Sequence, residues 1–178
     1  MRYLIIALVL IFFSLSQAQS EFQALAGPFV VSRVIDAKTL ELSAGDQTSE
    51  VKLLGIATPK KGDEAACALY GSQALDFTSD LLLEKEVWLE FDLFEADDPS
   101  IMLAYVYLAN DQGNWHYDPQ QFVQINEQLL LNGLAEPMFD TPIMRYEDQF
   151  LLAMQKAKNN GLGIWAEPDA INLNCMQP

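Results

Sequence analysis

Short runs of apolar and β-branched residues, each bounded by polar turn signals, dominate the first third of the chain. These runs cover residues 29–35, 39–42 and 51–56. The segments between them, 36–38 and 44–46, are short and polar or glycine-containing, which is typical of tight turns. The pattern predicts three strands joined as an antiparallel meander.

The spacing then changes to that of a helix. Beyond Pro59 and Gly62, apolar residues recur at steps of three and four and form one face of a predicted helix, with Asp63 as its N-cap: Cys67, Tyr70, Ala74, Phe77 and Leu81. Two further strands are predicted at 87–91 and 103–108, followed by a polar and aromatic loop at 110–119.

Two more helices complete the order of elements. Phe122, Ile125 and Leu129 share a helical face that ends at Gly133, and residues 146–157 repeat the spacing before Ile164 and Trp165. Five strands with a helix between the third and the fourth predict an α+β fold that is mainly β. We expect an OB-type five-stranded barrel with three helices.

The N-terminus has the pattern of a secretory signal peptide. Arg2 precedes an apolar run over residues 4–13, and Ser16 and Ala18 form a small-x-small cleavage site. The run is too short to span a bilayer, and the alternatives are an N-terminal anchor or a buried helix. We therefore expect residues 1–18 to be removed on export to the periplasm or the medium. A lead (19–28), one domain (29–166) and a C-terminal tail (167–178) would remain.

The chain is strongly acidic. Its formal net charge is −15, and loss of Arg2 leaves nine basic against 25 acidic residues, 9 − 25 = −16. Such a surface repels phosphate backbones and anionic membranes, so it argues against nucleic acid and membranes as partners. It is compatible with a basic protein partner, although a solvated acidic surface also accounts for it. The sequence does not identify the partner.

Export bears on the two cysteines, Cys67 and Cys175. In an oxidising compartment they are expected to form a disulfide; the alternative is a pair of free, buried thiols.

Six segments, in order, resemble motifs of the staphylococcal-nuclease-like (thermonuclease-like) family. Residues 34–40 resemble the I-D-G-D-T hairpin, and residues 51–60 resemble the strand that reads R-L-x-x-I-D-T-P-E in the family. The other four are similar to the family's first helix, fifth strand, second helix and closing segment: Tyr70–Phe77, Leu103–Tyr107, Asn126–Ala135 and Gly163–Trp165. The resemblance covers about residues 29–166 and implies the same barrel.

The same resemblance implies a site that has lost its chemistry. The family cleaves phosphodiesters with a calcium ion held by carboxylates, a carboxylate that orients water, and two arginines that stabilise charge. The matching positions carry other residues: Lys38 and Ala57 for calcium ligands, Lys60 for the water-orienting glutamate, and Lys52 and Ile101 for the arginines. Asp36 and Thr58 match the family. We expect no catalytic residues, no calcium and no other cofactor.

Two binding functions and one catalytic function stay open. Lys38, Lys52 and Lys60 could form an anion site in the former pocket, or Lys38 could simply pair with Asp36. Trp115 and Tyr117 could anchor a protein partner or cover the barrel, and His116 is interpreted as an ordinary surface residue. The alternative is a nuclease acting on DNA or RNA with a metal-independent site, or with one rebuilt from Asp36 with Asp63 or Glu64.

Overall fold

The computed structural model describes residues 25–60, 65–92, 101–109, 122–139, 145–166 and 175–177. The elements, in chain order, are β1 (Ala26–Asp36), β2 (Thr39–Ala44), β3 (Gln47–Leu53), β4 (Ile56–Pro59), α1 (Ala65–Leu82), β5 (Glu86–Glu90), β6 (Ile101–Ala109), β7 (Phe122–Gln124), α2 (Ile125–Leu131), β8 (Glu136–Pro137), α3 (Glu147–Asn159), a 3-10 turn (Gly163–Trp165) and β9 (Met176–Gln177). Within these ranges, no helix combines the length and the apolar character needed to cross a bilayer.

Five strands close into a barrel, which confirms the predicted fold class. The order along the sheet is β3-β2-β1-β5-β6, and a parallel pairing of β3 with β6 joins the two ends. The remaining pairs are antiparallel, and two-residue turns join β1 to β2 and β2 to β3. The interior is filled by fully buried aliphatic side chains: Val31, Leu40, Val51, Leu89 and Val106. Each contributes roughly 1.5–3 kcal/mol by leaving water.

The predicted third strand, 51–56, is in fact two strands. β3 ends at Leu53, and the chain turns through Leu54 and Gly55 before β4 begins at Ile56. Gly55 has a φ of 79°, a left-handed conformation that suits glycine, and this ends the strand. The apolar residues on both sides hide the break from the sequence pattern.

The prediction that Phe122 lies on a helical face is also wrong. Phe122 lies in β7, which pairs with the end of β6, and its ring packs edge-on against Trp88 with 5.2 Å between centroids. Strands also occur in the segments predicted as lead and tail. β1 begins at Ala26, three residues before 29, and part of the tail forms β9, which pairs with β4.

Asn126 fastens α2 to the barrel. Its side chain is fully buried; the amide oxygen accepts the Val106 N–H at 3.0 Å, and the amide nitrogen donates to the Leu54 carbonyl at 2.8 Å. One side chain thereby satisfies one backbone group of β6 and one in the turn that leads into β4.

A buried carboxylate connects α3 to the barrel. Glu90, only 5% exposed, accepts hydrogen bonds from the hydroxyls of Tyr107 (2.6 Å) and Tyr146 (2.7 Å) and forms an ion pair with Arg145 (3.0 Å). Burial, with the carboxylate beside it, raises the pKa of Tyr107 and raises the pKa of Tyr146 to about 12. Both phenols therefore stay protonated as donors at neutral pH.

Candidate functional site

The positions singled out by the sequence lie on connected parts of the barrel. The β1–β2 turn holds Asp36 and Lys38, and β2 runs antiparallel to β3, so this turn lies beside the end of β3. The Leu53 N–H donates to the Lys38 carbonyl at 2.8 Å and fixes that contact. β4 follows directly, and β6 lies on the other side of β3.

Lys38 is held in the turn in two ways. Its backbone N–H donates to Asp36 Oδ1 at 2.9 Å, so this carboxylate caps the turn. Its side chain is buried, with only 3% of the residue exposed. α1 also holds this turn, because the Thr78 hydroxyl donates to the Ala37 carbonyl at 2.7 Å.

Lys52 lies next to this turn on the neighbouring strand. It pairs with Thr39 on one side and with Leu103 on the other, and its side chain is half-buried. The Thr39 hydroxyl oxygen is buried and has no hydrogen-bond partner. An unpaired buried hydroxyl costs roughly 1–3 kcal/mol.

β4 carries the next group of positions. Ala57 and Thr58 are buried, whereas the Lys60 side chain, just beyond the strand, is exposed. β4 lies between two short strands: Ala57 pairs with Glu136 of β8, and Thr58 pairs with Gln177 of β9. The Lys60 N–H donates to the Cys175 carbonyl at 2.9 Å.

Ile101 begins β6 and pairs with Glu50, two residues before the Lys52–Leu103 pair. It is half-buried and offers only a hydrocarbon side chain to this end of the barrel.

The structure thus brings Lys38 and Lys52 side by side, on a turn and a strand end that share hydrogen bonds. It places Lys60 at the far end of β4, against the C-terminal strand rather than in the same hairpin. A disulfide joins Cys67 at the start of α1 to Cys175, with 5.4 Å between their Cα atoms. Trp115, His116 and Tyr117, and the acidic residues Asp63 and Glu64, lie outside the described residues.

Comparison with known proteins agrees with this barrel and the motifs it carries. The family model described as staphylococcal nuclease homologue matches residues 50–167, well over half of the chain. The chain belongs to this family. The match runs from β3 to just beyond the 3-10 turn.

Individual relatives have a low sequence identity to this chain, but their alignments cover most of it. The thermonuclease of Staphylococcus hyicus is 29% identical over 139 residues, which are 78% of this chain and 75% of that protein. The thermonuclease of Staphylococcus intermedius is 30% identical over 138 residues, or 77% and 75% of the two chains. Endonuclease YncB of Bacillus subtilis is 29% identical over 140 residues, or 77% and 61%.

Sequence reasoning missed three contributors to this region. Thr39 looked like an ordinary strand residue, Thr78 reaches the hairpin turn across 41 residues, and β9 carries no periodic signal. The only pointer to the last of these was the pair of cysteines, since a bond between them requires the tail to return to α1.

Proposed function

We propose that this chain is an exported member of the staphylococcal nuclease family that does not cleave phosphodiesters with calcium. It acts instead as a non-catalytic binding module. Its ligand at the former active site is a small anion bearing phosphate or carboxylate, bound without metal. One observation is the main support for this proposal. A buried lysine, Lys38, lies in the turn where the family resemblance implies a calcium-binding acid.

The donor set does not fit calcium, which takes six to eight oxygen ligands. Among these positions only Asp36 supplies a carboxylate, and one of its oxygens already accepts the Lys38 N–H. Ala57 has no side-chain oxygen, and the Lys38 ammonium would repel a dication. No cluster of three or more potential metal ligands occurs within the residues that the structure describes.

The remaining substitutions oppose hydrolysis in different ways. Lys60 replaces the residue that would orient water, and a protonated lysine cannot accept a proton from it. Ile101 offers no charge to a phosphate oxygen, and Lys52 keeps a charge without the planar fork of an arginine. Since metal, base and charge stabilisation act together in catalysis, losing all three removes most of the rate enhancement.

The residues that stand at these positions are better suited to binding an anion. Lys52 is a cation beside the unpaired Thr39 hydroxyl, and both lie next to the turn that holds Lys38. An ammonium and a hydroxyl donor together recognise a phosphate or carboxylate oxygen. In a chain of net charge −15, such a local positive site would stand out electrostatically and favour small anions over long polyanions.

Titration of the processed chain with inorganic phosphate tests this, in chelator and at constant ionic strength. We expect saturable binding by calorimetry, weakened roughly tenfold by Lys52→Met through loss of a charge-assisted hydrogen bond. The matched control is Lys156→Met, an exposed lysine on α3, which should bind as the parent does. Equal weakening in both variants, or no saturable binding, would overturn the anion site.

Thr39→Val separates ligand binding from stability. Valine has a similar shape and removes the unpaired hydroxyl, so without phosphate the free energy of unfolding should stay equal or rise by up to about 1–3 kcal/mol. With phosphate, the variant should gain less stability than the parent. A large loss of stability without phosphate would mean that the hydroxyl has a structural partner in solution.

Export is testable on the natural host or a bacterial expression strain. We expect the chain recovered from the periplasm or the medium to begin at Gln19, as read from its intact mass. Recovery of an uncleaved chain from the membrane fraction would favour the anchor interpretation. The aromatic loop of Trp115 and Tyr117, and a basic protein partner, stay predictions.

The second candidate is a phosphodiesterase that acts on DNA or RNA. It is favoured by the relatives, which are named thermonucleases and an endonuclease. It requires a metal-independent mechanism, or a site rebuilt from Asp36 with acids outside the described residues. Cleavage assays with and without divalent ions distinguish it from the binding module.

A further inference from the structure

The strand that carries Ala57, Thr58 and Pro59 is covered by the chain's own C-terminus. β9 pairs with the second half of β4, Thr58 with Gln177 and Pro59 with Met176, and the Cys175 carbonyl accepts the Lys60 N–H. These contacts fill the edge of β4 opposite β8 and fix the backbone on which Lys60 stands.

The pairing itself is too small to persist unaided. β9 has two residues, and a backbone hydrogen bond contributes only about 0.5–1.5 kcal/mol net. Ordering each residue costs about 1–2 kcal/mol of backbone entropy. The covalent bond between Cys67 and Cys175 therefore supplies what the hydrogen bonds lack, because it keeps the strand next to its pairing edge.

We propose that the Cys67–Cys175 disulfide and β9 form a redox-controlled strap on β4. When the disulfide is intact, β9 closes the edge of β4 and holds the Lys60 backbone in place. When both sulfurs are reduced, β9 leaves, the edge is open, and Lys60 is no longer fixed. The strap does not rest on the proposed anion site, because β9 contacts Thr58, Pro59 and Lys60 and not the hairpin of Lys38 and Lys52.

The chemistry is a two-electron thiol–disulfide exchange with an external dithiol. One thiolate of the dithiol attacks one protein sulfur, which breaks the Cys67–Cys175 bond, releases the other cysteine as a thiolate and forms a mixed disulfide. The second thiolate of the dithiol then attacks the dithiol sulfur of that mixed disulfide and releases the first cysteine. Two protein thiols and one oxidised dithiol result. Both cysteines are buried, 4% and 1% exposed, so β9 must lift before a reductant can reach them. Lifting and reduction are thereby coupled: each makes the other easier.

Amide hydrogen exchange, followed residue by residue by NMR, tests the strap in the full processed chain. The two amides to compare are those of Lys60, bonded to Cys175, and Leu53, bonded to Lys38 within the barrel. In a Cys67→Ser/Cys175→Ser variant we expect the Lys60 amide to exchange about tenfold faster or more by a local, denaturant-independent opening. The Leu53 amide should still exchange by the global route, with a steep denaturant dependence.

The parent chain provides the second measurement. Under a dithiol, alkylation should trap two thiols while the Leu53 amide stays protected and the Lys60 amide does not. Retained protection of Lys60 in the serine variant would overturn the strap. So would reduction that proceeds only as fast as global unfolding, because the bond would then be purely structural.

Anion binding is read separately. If phosphate binds, we expect the reduced and the oxidised chain to bind it equally, because Lys60 lies at the far end of β4 and not in the hairpin of Lys38 and Lys52. Weaker binding by the reduced chain would contradict this placement of the anion site. If phosphate binds neither form, the anion site fails, while the exchange data still decide whether the strap exists.

Discussion

Replacing Asn126 should be among the most damaging single substitutions in this chain. Asn126→Leu keeps the number and branching of the side-chain heavy atoms and removes its hydrogen bonds. The buried Val106 N–H and the part-buried Leu54 carbonyl, bonded to it at 3.0 and 2.8 Å, lose their partner. Each orphaned group costs roughly 1–3 kcal/mol, so the loss is about 2–6 kcal/mol. That is a large part of the 5–15 kcal/mol typical of folded domains.

Urea unfolding measures this directly. With an m-value of about 3 kcal/mol/M, the midpoint should fall by about 1–2 M with little change in m. Asn132→Ala is the control, since its side chain is exposed and bonds only to the Gln128 carbonyl on its own helix. A loss below about 1 kcal/mol for Asn126→Leu, or one no larger than that of the control, would refute the view that this side chain fastens α2 to β3 and β6.

Two further predictions concern other parts of the fold. Gly133 and Gly45 have nearly the same positive φ, 65° and 63°. A Cβ at Gly133 would clash with the Leu162 carbonyl oxygen, whereas a Cβ at Gly45 would meet nothing within 4 Å. Gly45→Ala should therefore cost only about 1–2 kcal/mol of backbone strain and Gly133→Ala clearly more, and equal melting temperatures would contradict the close approach of the two backbones. The pKa of Tyr146 is raised from 10 to about 12, so folding favours the protonated phenol. The resulting contribution to stability is fully present below pH 10 and is lost as the pH rises through 12. Unfolding in urea between pH 9 and 12 should show this decline, and Tyr146→Phe should reduce it; an unchanged slope would mean that its hydroxyl is not held by Glu90.

Much of the barrel could be predicted from the sequence because its strands are short apolar, β-branched runs and the first turns between them are short and polar. The errors arose where local pattern and tertiary structure diverge. Phe122 keeps helical spacing with Ile125, yet β7 runs straight into α2 without a break, so spacing alone could not separate strand from helix. The run 51–56 reads as one strand because the turn at Leu54 and Gly55 is itself apolar.

The candidate site was located by motif order, and its internal contacts were not predictable. The sequence shows which residues stand where the family resemblance implies acids and arginines. That Lys38 is buried, that Thr39 has an unpaired hydroxyl, and that Thr78 bonds to the turn depend on packing between distant segments. β9 could not be predicted, because a strand of two residues has no recognisable sequence pattern.

We propose that this member of the staphylococcal nuclease family has lost calcium-dependent cleavage through its side chains rather than its fold. A matched variant restores the residue types implied by the family resemblance: Lys38→Asp, Lys52→Arg, Ala57→Asp, Lys60→Glu and Ile101→Arg. Unfolding in urea should first establish that this variant is folded.

The most direct measurement is cleavage of single-stranded DNA and RNA by the purified processed chain, with calcium, with other divalent ions and with chelator, beside the restored variant. We predict no cleavage by the parent under any condition, and calcium-dependent cleavage by the variant that chelator abolishes. Metal-dependent cleavage by the parent that co-purifies with the chain through successive columns would contradict the proposal.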